Sequence, residues 1–367
     1  MRVTQGAAGG DGSHGEIGTR GRAIEPDGRK VTLRDVAEAS GVSVGAVSMA
    51  LNRKDGVSES TRRRILDAAR ALGYERSQTR ESRTGSIVNI IIERLPVSPT
   101  SDPFNKPILL GLQTAARRAG FRVALEFVGP DEEPQAERWI RDSTAGIVLL
   151  GGGDLGPDWV RAASVSDVPV VMVDHFVPDL ALPAIVADNL GGAYSATRHL
   201  LEMGHERVGF IRGPSKYWTL SERMAGYLLA TQQAGLPVDP QLIPPRVSHG
   251  EEKGYGEMRH LLALPDPPTA VFAVSDKTAI GGYRAVREAG LSVPGDVSVV
   301  GFDNIGEAHS LDPPLTTVDV SGENMGLVAF HRLLALMSDG EMGEASPLKW
   351  TIPTKLVVRG SVRELSR

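Results

Sequence analysis

Apolar positions in this chain follow two different spacings. Between residues 31 and 73 they recur every three or four residues, with Leu33, Val36 and Ala37 in one stripe and Ile65, Ala68, Ala69 and Leu72 in another. Such spacing predicts short amphipathic helices. Gly41 is placed to stop the first, Ser43 to cap a second over 44–51, and Ser58 to cap a third that closes at Gly73. From residue 87 short apolar runs alternate with amphipathic stretches. Strands are expected over 87–92, 122–128, 146–150, 168–174, 207–212, 270–275, 297–302 and 356–359. Helices are expected over 106–119, 191–203, 221–234, 255–264 and 277–289. Strands joined by crossover helices make parallel sheets covered on both faces. One such sheet rarely needs about 280 residues, so two subdomains are expected. The fold class is α/β, a small all-α unit followed by a two-subdomain parallel-sheet domain.

Composition narrows the chemistry. With no Cys in 367 residues, disulfides, Cys-ligated metal clusters and thiolate nucleophiles are excluded. No cofactor is expected. No apolar run reaches the length of a membrane span, and no signal-peptide core lies near the start, so a cytoplasmic protein with no membrane partner is expected. Charge is unevenly spread. Residues 29–84 carry 12 Lys and Arg against 7 Asp and Glu, whereas residues 85–367 carry 25 against 34. The basic segment is the candidate for a polyanionic partner. Residues 1–29 are Gly-rich and read as a disordered arm, and residues 75–86 read as a polar linker.

Helix, Gly-containing turn and second helix make a helix-turn-helix, whose second helix enters the major groove of DNA. The stretch VTLRDVAEASGVSVGAVSMALNRKDGVSESTRRRILDAARALGY resembles the amino-terminal headpiece of the LacI/GalR family of transcription regulators. It matches V-T-L-x-D-V-A, G-V-S, V-S, L-N, G-V-S, T-R and L-G-Y in order. The resemblance continues through VADNLGGAYSATRHLLEMGHERVGFIRGP, SERMAGY, PTAVFAVSDKTAIGGYRAVREAGLSVPGDVSVVGFDN and PPLTTV. It implies a DNA-binding headpiece at 30–74, a hinge linker at 75–86 and a periplasmic-binding-protein-like effector and dimerisation domain at 87–367. Within that domain, an N-subdomain of about 87–187 plus 321–346 and a C-subdomain of about 188–320 plus 347–367 are expected.

In such a headpiece Val44, Gly45, Ala46, Ser48 and Met49 face the groove, with Asn52 at the far end. Thr32, Ser48, Asn52 and Thr61 suit phosphate contacts, which position the module without reading sequence. Two departures from the family matter. Many members carry Arg where this chain has Met49, and Thr where it has Ala46, so contact with thymine methyls is expected in place of arginine–guanine readout. The linker lacks the Pro-Asn and the minor-groove Leu wedge of the family and is one residue shorter. Arg80 and Arg83 are left to enter a narrow groove.

Asp174, Arg212, Ser275, Asp276 and Asp303 end expected strands, where doubly wound sheets bind ligands. The resemblance implies that Asp303 is the acidic effector ligand and Arg223 its partner, because a carboxylate accepts from adjacent hydroxyls and a guanidinium donates in a fixed fork. Asp174 and Ser275 add polar contacts. His249, Trp218 or Phe104 would supply a stacking face.

Rival chemistries fit poorly. Gly151–Gly156 has the G-x-G-x-x-G spacing of a dinucleotide site, with Asp174 23 residues past Gly151. Pro157 suits the first position of a helix, which puts the glycines before the helix and not inside it. Gly41–Gly45 fits G-x-S-x-G, yet a helix and no strand precedes it. The reading is a homodimeric repressor of a pseudo-palindromic double-stranded DNA operator, without catalysis, controlled by a small effector, which the resemblance implies is a carbohydrate. The alternative within the family is a purine-type corepressor-dependent regulator. A periplasmic sugar-binding protein would not need the basic unit.

Overall fold

The computed structural model describes residues 31–51, 56–72, 86–93, 100–129, 132, 134, 144–151, 155, 157–166, 168–180, 182–214, 217–245, 250–338 and 349–365. The arm expected at 1–29, nearly all of the linker, Asn52, Arg80, Arg83 and His249 lie outside the described residues. The chain divides into two compact units, Met1–Ser77 and Gln78–Arg367.

In the first unit α1 (Leu33–Ser40), α2 (Val44–Leu51) and α3 (Glu59–Ala71) stand where the three-and-four spacing placed them. Thr32 begins α1 with a capping box. Its Oγ1 accepts from Asp35 N at 3.4 Å, and Asp35 Oδ2 accepts from Thr32 N at 2.6 Å. Gly41 ends α1 at φ 65°, a left-handed turn that costs glycine little. Ser43 Oγ accepts from Ala46 N at 3.1 Å, and Ser58 Oγ accepts from Thr61 N at 3.3 Å. Val36, Val47, Ala50 and Ile65 meet in a small buried core. Arg62 reaches from α3 to donate to the Ala50 carbonyl at 2.9 Å, which ties the third helix to the second.

The second unit has two lobes. The first is built from β1 (Ile87–Glu93), α4 (Asn105–Arg118), β2 (Arg122–Val128), β3 (Thr144–Leu150), α5 (Pro157–Ser164), β4 (Val170–Val173) and β5 (Ala184–Ala187). The second holds α6 (Asn189–Glu202), β6 (Val208–Ile211), α7 (Trp218–Gln233), α8 (Gly250–Leu262), β7 (Ala270–Ala273), α9 (Asp276–Glu288), β8 (Ser298–Val300), α10 (Gly306–Ser310) and β9 (Thr317–Asp319). The chain then returns through α11 (Gly322–Ser338), which packs on α4 and on strands of the first lobe, to β10 (Lys349–Ile352) and β11 (Lys355–Val357).

The first sheet runs β10-β5-β4-β3-β1-β2 with every pair parallel. The second runs β6-β7-β8, also parallel, while β9 and β11 form an antiparallel pair beside it. Val148, Ile185 and Phe272 show why the strand pattern is legible. All are fully buried, as a sheet covered on both faces requires. Helices α8 and α9 pack with backbones nearly touching. A Cβ on Gly254 would overlap the Thr278 carbonyl, and one on Gly281 would overlap that of Glu251.

Two expectations change. The spacing did not reveal the short strands β5, β9 and β10, nor helices α10 and α11. Residues 347–367 were expected wholly in the second subdomain, but β10 pairs in parallel with β5 and closes the outer edge of the first sheet. Only Ile352 of that strand is buried, so its apolar pattern is too faint to read. Among the described residues no helix is long and apolar enough to cross a membrane.

Candidate functional site

The carboxyl ends of the two parallel sheets open on one cavity of about 310 Å³. Ile92 is the penultimate residue of β1, Gly151 follows β3 and Asp174 follows β4. Across the cavity Pro214, Ser275 and Asp303 follow the strands of the second sheet. Strand order in the first sheet reverses between β3 and β1, a switch point of the kind at which open α/β sheets bind ligands.

Arg223 organises the polar wall. It lies on α7 at 3% exposure, and burying a guanidinium requires partners for its donors. Nε donates to Asn189 Oδ1 at 2.9 Å and Nη1 to the Val274 carbonyl at 2.7 Å, while the Phe302 ring stacks 3.8 Å beneath it. Nη1 is also 2.9 Å from Asp303 Oδ1. That contact is a buried ion pair, with Asp303 held against the guanidinium. Asp174 Oδ1 is buried with no hydrogen-bond partner among the described residues.

Burial pushes both carboxyls up. Desolvation raises Asp174 to about 7, with Arg223 pulling down and Asp303 and Glu222 pushing further up. Desolvation raises Asp303 to about 6 against the pull of Arg223. Behind them Asp276 accepts from Thr317 Oγ1 at 2.6 Å and Ile305 N at 2.9 Å, and burial raises it to about 8. The site therefore offers desolvated carboxyl oxygens, of which Asp174 Oδ1 has no hydrogen-bond partner among the described residues. A ligand with adjacent hydroxyl or amine groups would satisfy them.

Side chains from opposite lobes meet at the edges of the cavity. Asp102 Oδ1 accepts from the Phe104 and Asn105 amides at 3.0 and 3.1 Å at the start of α4, and its other oxygen is ion-paired with Lys277 in the first turn of α9. Elsewhere Lys349 of β10 is ion-paired with Glu222 of α7. Trp218 donates to Glu222 at 3.0 Å and packs edge-on against Phe176, ring centroids 5.9 Å apart.

The cavity thus gathers Asp174, Arg223, Ser275, Asp303 and Phe104 from the sequence-based set. Ser275 also caps α9, accepting from Thr278 N at 3.3 Å. Trp218 is not on the wall; its indole rests on Phe176, 44% exposed. His249 falls outside the described residues. Asp102, Asn105, Thr219, Lys253 and Lys277 also line the cavity, and sequence reasoning missed them. An Asp three residues before a helical run is a capping signal, and that signal could have found Asp102.

On the small unit, Val44 and Gly45 are exposed and Ala46 and Met49 half-buried; the Ser48 side chain is outside the description. Thr32 is engaged in its capping box, and the Thr61 hydroxyl lies 2.8 Å from that of Ser58. Ser43 caps α2 between two helices, so no strand precedes it as a nucleophile elbow requires. Pro157 opens α5, after the glycines of the apparent dinucleotide fingerprint.

Residues 32–77 match the sequence family of bacterial regulatory proteins, lacI family, and residues 197–362 match the periplasmic binding protein-like domain. The chain is 36% identical over 343 residues to the HTH-type transcriptional repressor CytR of Escherichia coli (strain K12), across 91% of this chain and 97% of that protein. Among solved structures it resembles a transcriptional regulator CelR–cellobiose complex with TM-score 0.66 and 31% identity, covering 90% of this chain and 99% of that one. It also resembles the lac repressor dimer bound to operator and the anti-inducer ONPF, with TM-score 0.63 and 23% identity over 91% and 100% of the chains, a likeness of fold.

Proposed function

The chain belongs to the LacI family of bacterial regulatory proteins, and on that premise we propose a transcriptional repressor whose hold on a DNA operator is set by a small carbohydrate in the cavity around Asp174, Arg223 and Asp303. The observation that carries the ligand half is Asp174 Oδ1, buried with no hydrogen-bond partner among the described residues, on the wall that also holds the Arg223–Asp303 ion pair. Leaving such an oxygen unpaired costs free energy that a polyol would recover. The cellobiose of the CelR complex favours a sugar over other hydroxylated ligands.

Residues 30–74 form the headpiece. On this reading Val44, Gly45, Ala46 and Met49 of α2 meet base edges and Thr32 and Thr61 meet phosphates, while Ser48, Asn52, Arg80 and Arg83 are DNA contacts assigned from the sequence alone. Two copies bind as a homodimer, because a pseudo-palindromic operator mirrors two-fold protein symmetry. Sugar binding favours the arrangement with lower DNA affinity, so the ligand induces. Its leverage is the difference in its affinity for the two states. The protein acts in the cytoplasm as a regulator and performs no catalysis.

The test has two readouts. Selection from randomised duplexes should enrich one palindromic sequence, and its affinity should fall steeply with salt as counterions are released. A sugar panel scored by melting temperature then identifies a ligand, and Asp303→Ala should lose that ligand's release of DNA while keeping the operator. No enriched duplex would sink the regulatory reading. An unchanged response in Asp303→Ala would remove the assigned site.

A further inference from the structure

Asp303 sits in an unusual turn. Its φ is 109° and that of Asn304 is 56°, two consecutive non-glycine residues at positive φ. Side chains rarely adopt this backbone, and it persists only where surrounding contacts over-determine it. The contacts here are assigned residue by residue. Asp303 N donates to the Val318 carbonyl at 2.8 Å, and Ile305 N donates to Asp276 Oδ2 at 2.9 Å. The residue between them, Asn304, has its Oδ1 held by Arg359 Nη2 at 2.6 Å. Arg359 comes from the returning carboxyl-terminal segment and is anchored independently of the turn. Its Nη1 donates to the Leu315 carbonyl at 2.7 Å and its backbone N to Thr316 Oγ1 at 2.9 Å.

We propose that Arg359 is a positioning residue for the effector site, clamping Asn304 so that the Asp303 carboxylate faces the cavity and Arg223. It is not on the cavity wall. Its fork suits the task, since two donors bridge a side-chain amide and a backbone carbonyl at fixed geometry. Without the clamp Asn304 is free to leave the left-handed region, and rotation there swings the preceding carboxylate away from Arg223. The proposal rests on the reading of Asp303 as an effector ligand, but its geometry can be tested with no ligand present.

Full-length protein labelled with carbon-13 at the Asp carboxyls serves, with Asp303 assigned from the signal lost in Asp303→Asn. The parent Asp303 should titrate near 6, its value when desolvated beside Arg223. Arg359→Met should move that midpoint away from 6, down towards the ordinary carboxylate range of about 4 if the side chain reaches solvent and up if it leaves Arg223 but stays buried. Asp174 should keep its own midpoint. Arg359→Lys, which retains one of the two bridges, should fall between. A merely structural Arg359 would lower the melting temperature and leave the midpoint near 6 in the folded protein, and that result overturns the proposal. If Arg359→Met fails to fold, Asn304→Ala removes the same contact, and an unmoved midpoint there is equally fatal. Asp303→Ala with an unaltered sugar response would count against the effector site, whereas the titration would still report on the turn.

Discussion

Lys277 and Asp102 are ion-partners separated by 175 positions in the chain, one opening α9 in the second lobe and the other starting α4 in the first. Asp102 is 5% exposed at its side chain and Lys277 37%. The carboxylate keeps its two amide donors whatever happens to the lysine, so the pair is an inter-lobe tie and the cap is a local device. Lys277→Met should cost only about 1 kcal/mol of stability, because a part-exposed ion pair contributes little. It should also loosen the two lobes, seen as faster amide exchange in the first turns of α4 and α9. Exchange unchanged in both turns would show that the tie does not hold the lobes.

Acidity should change the stability of this site in a defined direction. Asp174 is raised from 3.8 to about 7 on folding, so between those values the folded protein holds a proton that the unfolded chain has released. Stability from this group is therefore complete below about pH 4 and is lost as pH rises towards 7. Asp174→Asn, neutral throughout, should be more stable than the parent at pH 8 by an amount on the order of 4 kcal/mol. The advantage should vanish near pH 4. Denaturant midpoints across pH 4–8 check it, and a constant difference would contradict the buried carboxyl.

Close packing of α8 on α9 leaves no room for a methyl group. A Cβ at position 254 would overlap the backbone of Thr278, which a rotamer change cannot relieve. Gly254→Ala should cost about 1–3 kcal/mol by overpacking, despite the better helix propensity of alanine. Thermal unfolding measures it. A stabilised variant would mean that these helices separate easily.

Base preference should respond to position 49. Met49 is half-buried on α2, and a longer guanidinium there would reach a guanine edge bidentately. Met49→Arg should shift preference at one base pair in each half-site, with a discrimination of about 1–3 kcal/mol. Duplex selection on both proteins checks it, and identical preferred sequences would exclude position 49 from readout.

Much of this protein was determined by local sequence. The helices α1 to α3 with their Thr32, Ser43 and Ser58 caps need contacts only three or four residues apart, and the spacing of apolar residues states them directly. The buried strands and the polar residues that end them, Asp174, Ser275 and Asp303, were legible for a similar reason. A strand covered on both faces must be apolar along its length, and its end is where that run stops. Tertiary structure alone decided which of those ends meet. Arg223 reaches Asn189 and Val274, Asp102 reaches Lys277, and Arg359 reaches Asn304, over separations that no periodicity encodes. It also decided that β10 joins the first sheet, since an edge strand with one buried residue carries almost no pattern. Local propensity acts through neighbours in sequence. Desolvation and ion pairing act through neighbours in space, and those exist only once the sheets have formed.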